Sequence, residues 1–298
     1  MEFNEIIVKD VAFKDTIYTY LKRNGYSENY VKNLRKKEGY ILLNNKIAFT
    51  DARINNGDIL KLNKNPNTST SIMQCVIPLD IVYEDEDLLV VNKPSNLSTS
   101  ASRSHFSKNL SGAILSYMSR KTDNFVVRVV NRLDKETAGL IIVAKHSYIS
   151  NLLNENDYTK KTYYAICRGE IKEPITIDKN ISTIKNELGY NQHKRIISND
   201  GKPAITYVTP VSFDGKNTLC KISIEHGRTH QIRVHLSSIN HPLLGDGLYG
   251  EPSEEISHTA LLCKEIELYH PIKKKTILLS CPFPDDFKTA FKANVNWC

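Results

Sequence analysis

Asp134 is the residue of this sequence best placed to do chemistry. It stands in the run Asn-Arg-Leu-Asp-Lys-Glu-Thr-Ala-Gly-Leu at residues 131–140, between apolar runs at 125–130 and 139–144 that are typical of strands. A carboxylate at the end of a strand is held rigidly, as a catalytic group must be. An aspartate in such a turn more often caps the turn or a helix start, so residue type alone leaves a structural role open.

Four further segments concentrate charged, aromatic and glycine residues in a fixed order. They are YEDEDLLVVNKP at 83–94, KTYYA at 161–165, GKPAIT at 201–206, and GRTHQIRVHL at 227–236, which HPLLGD follows at 241–246. Together with residues 131–140, this order resembles the RluA/RluD type of large-subunit ribosomal RNA pseudouridine synthases across roughly residues 80–285. The family motif H-R-L-D-x-x-T-S-G-L is matched except that Asn131 replaces His and Ala138 replaces Ser.

The resemblance implies an isomerase that breaks the bond between ribose and the uracil nitrogen, turns the base and reattaches it through carbon. Asp134 is then the nucleophile, since covalent catalysis splits one hard step into two easier ones. Sequence leaves open whether ribose or the base is attacked. Arg228 is expected to pair with Asp134 and keep it ionised, and Tyr163 is expected to stack on the uracil and move a proton.

The resemblance also implies substrate-binding residues around this group. Arg132 is expected to fill the gap left in the RNA by the flipped base, because a stacked uracil cannot present its glycosidic bond to a pocket. Thr137 and His230 match the family's motifs and are expected to contact substrate. Asn131 can hydrogen-bond but cannot titrate near neutral pH, so activity is expected to survive with altered substrate contacts.

Neither a metal nor an organic cofactor is expected. His230 and His235 would lie about 140° apart around a helix that starts near Thr229, and such a pair does not converge on one ion. The sequence also lacks the H-E-x-x-H pattern of a metallohydrolase. The isomerisation involves no redox change, so it requires no redox cofactor.

A basic segment at residues 13–64 carries most of the excess charge. It holds eleven Lys and Arg and five Asp and Glu, a net +6 out of +7 for the whole chain. Its predicted order of helix, helix, strand, turn, strand is similar to the RNA-binding domain named for small-subunit ribosomal protein S-four, whose second helix faces RNA. Lys32, Arg35 and Lys36 are the predicted RNA contacts; a solvated charged face is the alternative.

The predicted organisation is therefore an RNA-binding domain at 13–64, a polar linker at 65–77 and a catalytic α+β domain at 78–298. The resemblance implies that this domain is a mixed, mainly antiparallel sheet flanked by helices. Scattered single cysteines suit a reducing cytoplasm, and the sequence contains no apolar stretch long enough to span a membrane. A monomer is expected.

The predicted partner is structured RNA, with large-subunit ribosomal RNA ahead of transfer RNA; the target uridine depends on RNA shape and cannot be inferred from the sequence. A non-catalytic RNA-binding or ribosome-assembly factor on the same fold is the alternative function. Intact Asp134, Tyr163 and Arg228 argue against it, because a decayed enzyme would be free to lose them.

Overall fold

The N-terminal part of the chain folds into a small four-stranded antiparallel sheet with two helices. The computed structural model describes residues 3–64, 72–100, 108–122, 125–155, 157–185, 191–295 and 297. The elements of the small domain are β1 (Phe3–Ile7), α1 (Ile17–Arg23), α2 (Glu28–Leu34), β2 (Ile41–Leu43), β3 (Lys46–Ile47) and β4 (Ile59–Asn63), with strand order β1-β4-β2-β3. Strand β1 lies before the predicted start at residue 13, so the domain includes ten more residues than the charge pattern indicated.

Local sequence explains these elements. The Ser27 side chain accepts a hydrogen bond from the Tyr30 backbone N–H at 3.2 Å and so caps α2. Asn44 and Asn45 both have positive φ, 50° and 63°, which is the geometry of a two-residue hairpin turn between β2 and β3. The predicted hairpin is thus confirmed.

The rest of the chain builds one large sheet with helices against it. Its elements are β5 (Asp80–Glu84), β6 (Leu88–Lys93), α3 (Leu110–Met118), β7 (Arg128–Val129), β8 (Ala138–Ala144), α4 (Ser147–Glu155), β9 (Thr159–Arg168), β10 (Ile175–Asp178), β11 (Ile181–Lys185), β12 (Asn191–Ile197), β13 (Ile205–Phe213), β14 (Asn217–Glu225), α5 (Gln231–Ser237), β15 (Leu261–His270), β16 (Lys275–Ser280) and α6 (Asp285–Ala290).

The sheet is mixed but mainly antiparallel, which confirms the predicted fold class. Eight strands run in the order β10-β13-β14-β9-β15-β8-β6-β5, with β16 beside β15 and β7 beside β8, while β11 and β12 form a separate two-stranded hairpin. Only the short β15–β8 pairing is parallel among the described strand pairs. Every residue of β8 is buried, as expected for a continuous apolar strand in the middle of a sheet.

The apolar run before Asp134 is less regular than predicted, because only Arg128–Val129 pairs with β8 as a strand. Beyond it, the Asn131 side chain replaces the backbone in the ladder. Its Oδ1 accepts from the Ile142 N–H at 2.7 Å, and its Nδ2 donates to the Leu140 carbonyl at 3.0 Å. The chain is therefore fixed to β8 on both sides of the turn that carries Asp134.

The two sheets share a continuous apolar core. Across the junction, the Ser147 backbone N–H and hydroxyl both donate to the Lys64 carbonyl, at 3.1 Å and 2.6 Å. The described part of the predicted linker, from residue 72, packs on α3, where the Cys75 N–H donates to the Gly112 carbonyl at 3.2 Å. Residues 65–71 of that linker lie outside the described residues.

Candidate active site

A cleft of about 900 Å³ lies beside the turn that carries Asp134. The turn forms one wall, β9 and the first turn of α5 form the floor and the second wall, and β12 reaches the rim. Of the predicted site residues, Arg132, Asp134, Thr137, Tyr163, Arg228 and His230 all line the cleft. Three of the sequence motifs, at 131–140, 161–165 and 227–236, thus line the cleft with some of their residues, and folding brings most of the predicted groups together.

The Asp134 carboxylate is the group on which the other side chains converge. It is 26% exposed, so it is accessible from the cleft. Arg233 Nη1 lies 3.6 Å from Oδ2, and His230 Nε2 lies 3.8 Å from Oδ1. Both separations exceed an ordinary hydrogen bond, so Arg233 acts on Asp134 mainly through its charge and His230 mainly through the orientation of its ring.

Arg233 is held in place by a fully buried carboxylate. Its Nε and Nη2 each donate to Asp246 at 2.7 Å in a two-point pair, and Nη2 also lies 3.4 Å from Glu136 Oε2. Burial alone lowers the pKa of Arg233, but its hydrogen bonds to Asp246 and the charges of the nearby carboxylates raise that pKa above its ordinary value. Arg233 is therefore a permanent cation with Nη1 turned towards Asp134.

The expected pair between Arg228 and Asp134 must be corrected. Both residues are described, and no ion pair joins them; the Arg228 Nε–H instead donates to the Pro203 carbonyl at 3.1 Å. Arg228 precedes α5 in the loop, whereas Arg233 lies in the helix and faces the aspartate. The cation beside Asp134 is thus the second arginine of the motif.

Tyr163 enters the cleft from the middle of β9. Its ring is only 6% exposed. Burial, the Cys263 thiol and the Asp134 charge raise the pKa of Tyr163 well above its usual value, so the phenol stays protonated. Its neighbour Tyr164 points to the other face of the sheet and packs edge-on against Phe283 at 5.1 Å, which is a structural role.

The other predicted substrate contacts divide into two groups. Arg132 is exposed at the rim of the cleft. The Thr137 hydroxyl is buried and has no hydrogen-bond partner among the described residues. Asn131 is outside the cleft lining and uses both ends of its amide on β8; its expected substrate contact is therefore corrected to a structural role.

Lys93 is a site-supporting residue that sequence reasoning did not single out. It is completely buried, and its ammonium donates to the carbonyls of Pro94 and Leu97 at 2.9 Å and of Lys135 at 3.1 Å. Burial lowers the pKa of Lys93 to about 7, while the nearby Asp134 charge opposes that shift. Lys93 ties the end of β6 to the turn beside Asp134; the only sequence signal was the Asn-Lys-Pro run at 92–94.

The predicted RNA-contacting residues lie at the end of α2, away from its buried face. Lys32, Arg35 and Lys36 are all exposed. The Arg35 Nε–H donates to Thr50 Oγ1 at 2.7 Å, and its guanidinium lies 5.1 Å above the Tyr18 ring, so this side chain is fixed before any ligand arrives.

The histidines of the fourth motif have separate partners. His235 is buried and contacts Thr206 Oγ1 and the Lys179 carbonyl, both at 2.9 Å. His230 contacts the Tyr249 hydroxyl at 3.0 Å. The two rings thus serve different parts of the fold.

Comparison with known proteins decides the family. Residues 87–238, more than half of the chain, match the family described as RNA pseudouridylate synthase. The chain belongs to the RNA pseudouridine synthase family. It is 31% identical to the RNA pseudouridine synthase YhcT of Bacillus subtilis over 83% of each chain. It is 30% identical to ribosomal large subunit pseudouridine synthase D of Neisseria meningitidis, over 84% of this chain and 70% of that protein.

A solved structure agrees with the assignment of this pseudouridine synthase. Human RNA pseudouridylate synthase domain containing 1 superposes with a TM-score of 0.57 at 25% identity, covering 70% of this chain and 84% of that one. The enzyme is therefore an isomerase that acts on RNA. Among the helices of the described residues, none is long and apolar enough to cross a membrane.

Proposed function

We propose that this pseudouridine synthase isomerises specific uridines in large-subunit ribosomal RNA with Asp134 as its nucleophile. The observation that carries the proposal is the placement of an accessible carboxylate in the cleft between Arg233 and His230. The Arg233 cation lies beside the carboxylate that would act as the nucleophile. The reaction breaks the N1–C1′ bond and forms a C5–C1′ bond, while C5 loses one proton and N1 gains one, so it needs no oxidant.

Tyr163 and Arg132 have complementary proposed roles. The protonated phenol of Tyr163 faces the cleft beside Asp134, where its ring can stack on uracil and take part in a proton transfer. Arg132 is exposed at the rim, where a flipped nucleotide leaves its duplex. Thr137 and His230 complete the substrate pocket in this proposal.

The choice of substrate rests on the relatives. Several are named ribosomal large subunit pseudouridine synthase D, including those of Neisseria meningitidis and Escherichia coli. We propose ribosomal RNA on that basis, with transfer RNA as the second candidate. The five cysteines for which the structure gives a state are free thiols, which supports our further proposal of a cytoplasmic enzyme. We also propose that the enzyme is a monomer.

The test is a map of pseudouridine across all RNAs in cells with and without this gene. We expect loss of one or a few signals in large-subunit ribosomal RNA and their return when the wild-type gene is restored. If signals were lost from transfer RNA instead, transfer RNA would replace ribosomal RNA as the proposed substrate. An unchanged map would contradict the proposed activity in those cells.

We also propose that residues 3–64 dock RNA through α2. Changing Lys32 and Lys36 together to Gln should weaken RNA binding and reduce the slope of log K against log salt by about 0.7 to 0.9 per lost phosphate contact. Substitution is preferable to deletion, because removing the domain would expose the core that it shares with the large sheet.

The matched control changes Lys172 and Lys275 to Gln, which removes the same charge from exposed positions elsewhere. Binding isotherms of a ribosomal RNA fragment at several salt concentrations give both slopes. Equal slopes for the two double variants would show that α2 is not the docking surface.

A further inference from the structure

Tyr249 connects His230 to the hairpin strand β12. Its hydroxyl oxygen accepts a hydrogen bond from the Arg195 backbone N–H at 2.6 Å and lies 3.0 Å from His230 Nδ1. The two rings meet edge to face at 5.6 Å, and Tyr249 is only 9% exposed. The phenol thus lies behind the imidazole, on the side away from Asp134.

These contacts bear on which nitrogen of His230 carries the proton. A backbone N–H can only donate, so the Tyr249 oxygen is the acceptor towards Arg195. The phenol hydrogen is then available for donation to His230 Nδ1, 3.0 Å away. A neutral imidazole that accepts at Nδ1 must carry its hydrogen on Nε2, the atom that lies 3.8 Å from Asp134 Oδ1.

The backbone of His230 supports the same placement. His230 has φ 56° and ψ 19° immediately before α5, a left-handed conformation that residues other than glycine rarely adopt. Burial lowers the pKa of His230, although Asp134 opposes that shift, so the neutral form is favoured near neutral pH. The strained backbone and the phenol together aim one ring edge at the nucleophile.

We propose that Tyr249 is a positioning residue that holds His230 with its Nε2–H directed at Asp134. The proposal rests on the proposed role of Asp134 as nucleophile. In this arrangement Arg233 and His230 each face one carboxylate oxygen, so the rotation of the carboxylate is restricted before RNA binds. The hydrogen bond from Arg195 makes this geometry depend on the position of β12.

The first test measures the tautomer of His230 and does not depend on enzymatic activity. Full-length protein labelled with ¹⁵N-histidine should show His230 with an unprotonated Nδ1 and a protonated Nε2 near neutral pH. Tyr249→Phe should change this to a mixture or to the opposite tautomer, because Nδ1 loses its donor. An unchanged His230 spectrum in Tyr249→Phe would overturn the proposal, whether or not the RNA substrate has been identified.

The spectra are compared at one pH, since several charged groups face this ring. They are Asp134 from the turn before β8, Arg233 from α5, Arg195 from β12 and Asp246 from the loop that carries Tyr249. None of these is altered by Tyr249→Phe. A tautomer change at constant pH is therefore due to the lost hydroxyl.

The second test separates an effect on the position of His230 from an effect on RNA binding. Tyr249→Phe should lower the single-turnover rate constant roughly tenfold while the Kd for RNA stays within about twofold. His230→Gln places an amide N–H near the position of Nε2 and should retain more activity than His230→Asn. Adding Tyr249→Phe to His230→Gln should cause no further loss, because Gln offers no Nδ1 to align.

The matched control is Tyr207→Phe on β13. This substitution removes a hydroxyl that donates a hydrogen bond to Glu225 at 2.6 Å. It should leave the rate unchanged. Additive losses in the double variant, or equal losses for His230→Gln and His230→Asn, would overturn the proposal. If no variant or wild type modifies ribosomal RNA, the proposed function fails and the tautomer measurement still decides this inference.

Discussion

Asp134→Asn is expected to abolish pseudouridine formation, with a loss of roughly 10⁴-fold or more in the single-turnover rate constant. The amide keeps the shape of the carboxylate but is not a nucleophile and carries no charge for Arg233 to orient. RNA affinity should persist, because the phosphate contacts proposed for α2 lie elsewhere. The melting temperature should change little, since Asp134 is 26% exposed and its ion pairs with Arg233 and His230 are 3.6 Å and 3.8 Å long.

Two measurements on the same preparations test this prediction. Pseudouridine is quantified in ribosomal RNA after single-turnover incubation, and RNA affinity is measured by titration. Asp200→Asn, an exposed aspartate in the turn before β13, serves as the matched control and should behave as wild type. Near-wild-type modification by Asp134→Asn would remove Asp134 as the nucleophile.

The family resemblance was sufficient to predict two residues that the fold brings into one cleft. Asp134 and Tyr163 were both selected from short motifs, and the structure places both in one cleft. Each depends on a strand whose apolar residues are evident from sequence, so the direction of its side chain follows from the strand's alternation or from its end. The fold class followed from the family resemblance in the same way.

The resemblance assigned the pairing role to Arg228, whereas the structure places Arg233 beside Asp134. The sequence indicated a helix start near Thr229, whereas the helix begins at Gln231 after a left-handed residue, so Arg228 lies in the preceding loop. Propensity gives no signal for a left-handed histidine, because tertiary contacts hold that conformation.

The residues that support the site could not be predicted from the sequence, for a different reason. Asp246 and Lys93 are distant in sequence from the groups they hold, and Asn131 acts on the backbone of β8. Their side chains are polar and buried, so hydrophobic periodicity assigns them to the surface. Only the three-dimensional arrangement shows which carbonyl or guanidinium satisfies each of them.

Arg233→Lys is expected to lower the single-turnover rate constant by roughly a hundredfold or more, whereas Arg228→Lys should cost less than about tenfold. A lysine at 233 is one point charge: it cannot make the two-point pair with Asp246 and also reach Asp134. Arg228 uses its guanidinium on the Pro203 carbonyl at the edge of the cleft, where an ammonium can replace it.

The lysine variants separate catalysis from folding. Arg233→Met would leave Asp246 as a buried charge without its partner, which typically costs about 3 to 5 kcal/mol, so a loss of activity would be ambiguous. Arg233→Lys keeps a cation beside Asp246, and its thermal melt, followed by circular dichroism, reports any residual destabilisation. If Arg228→Lys proved the more damaging of two folded variants, the catalytic cation would be Arg228, and its ion pair with Asp134 would have to form only when RNA is bound.

Both substitutions preserve net charge and lie in the same motif, so the electrostatic attraction of RNA is equal in the two proteins. The difference in rate therefore measures how each side chain acts on Asp134.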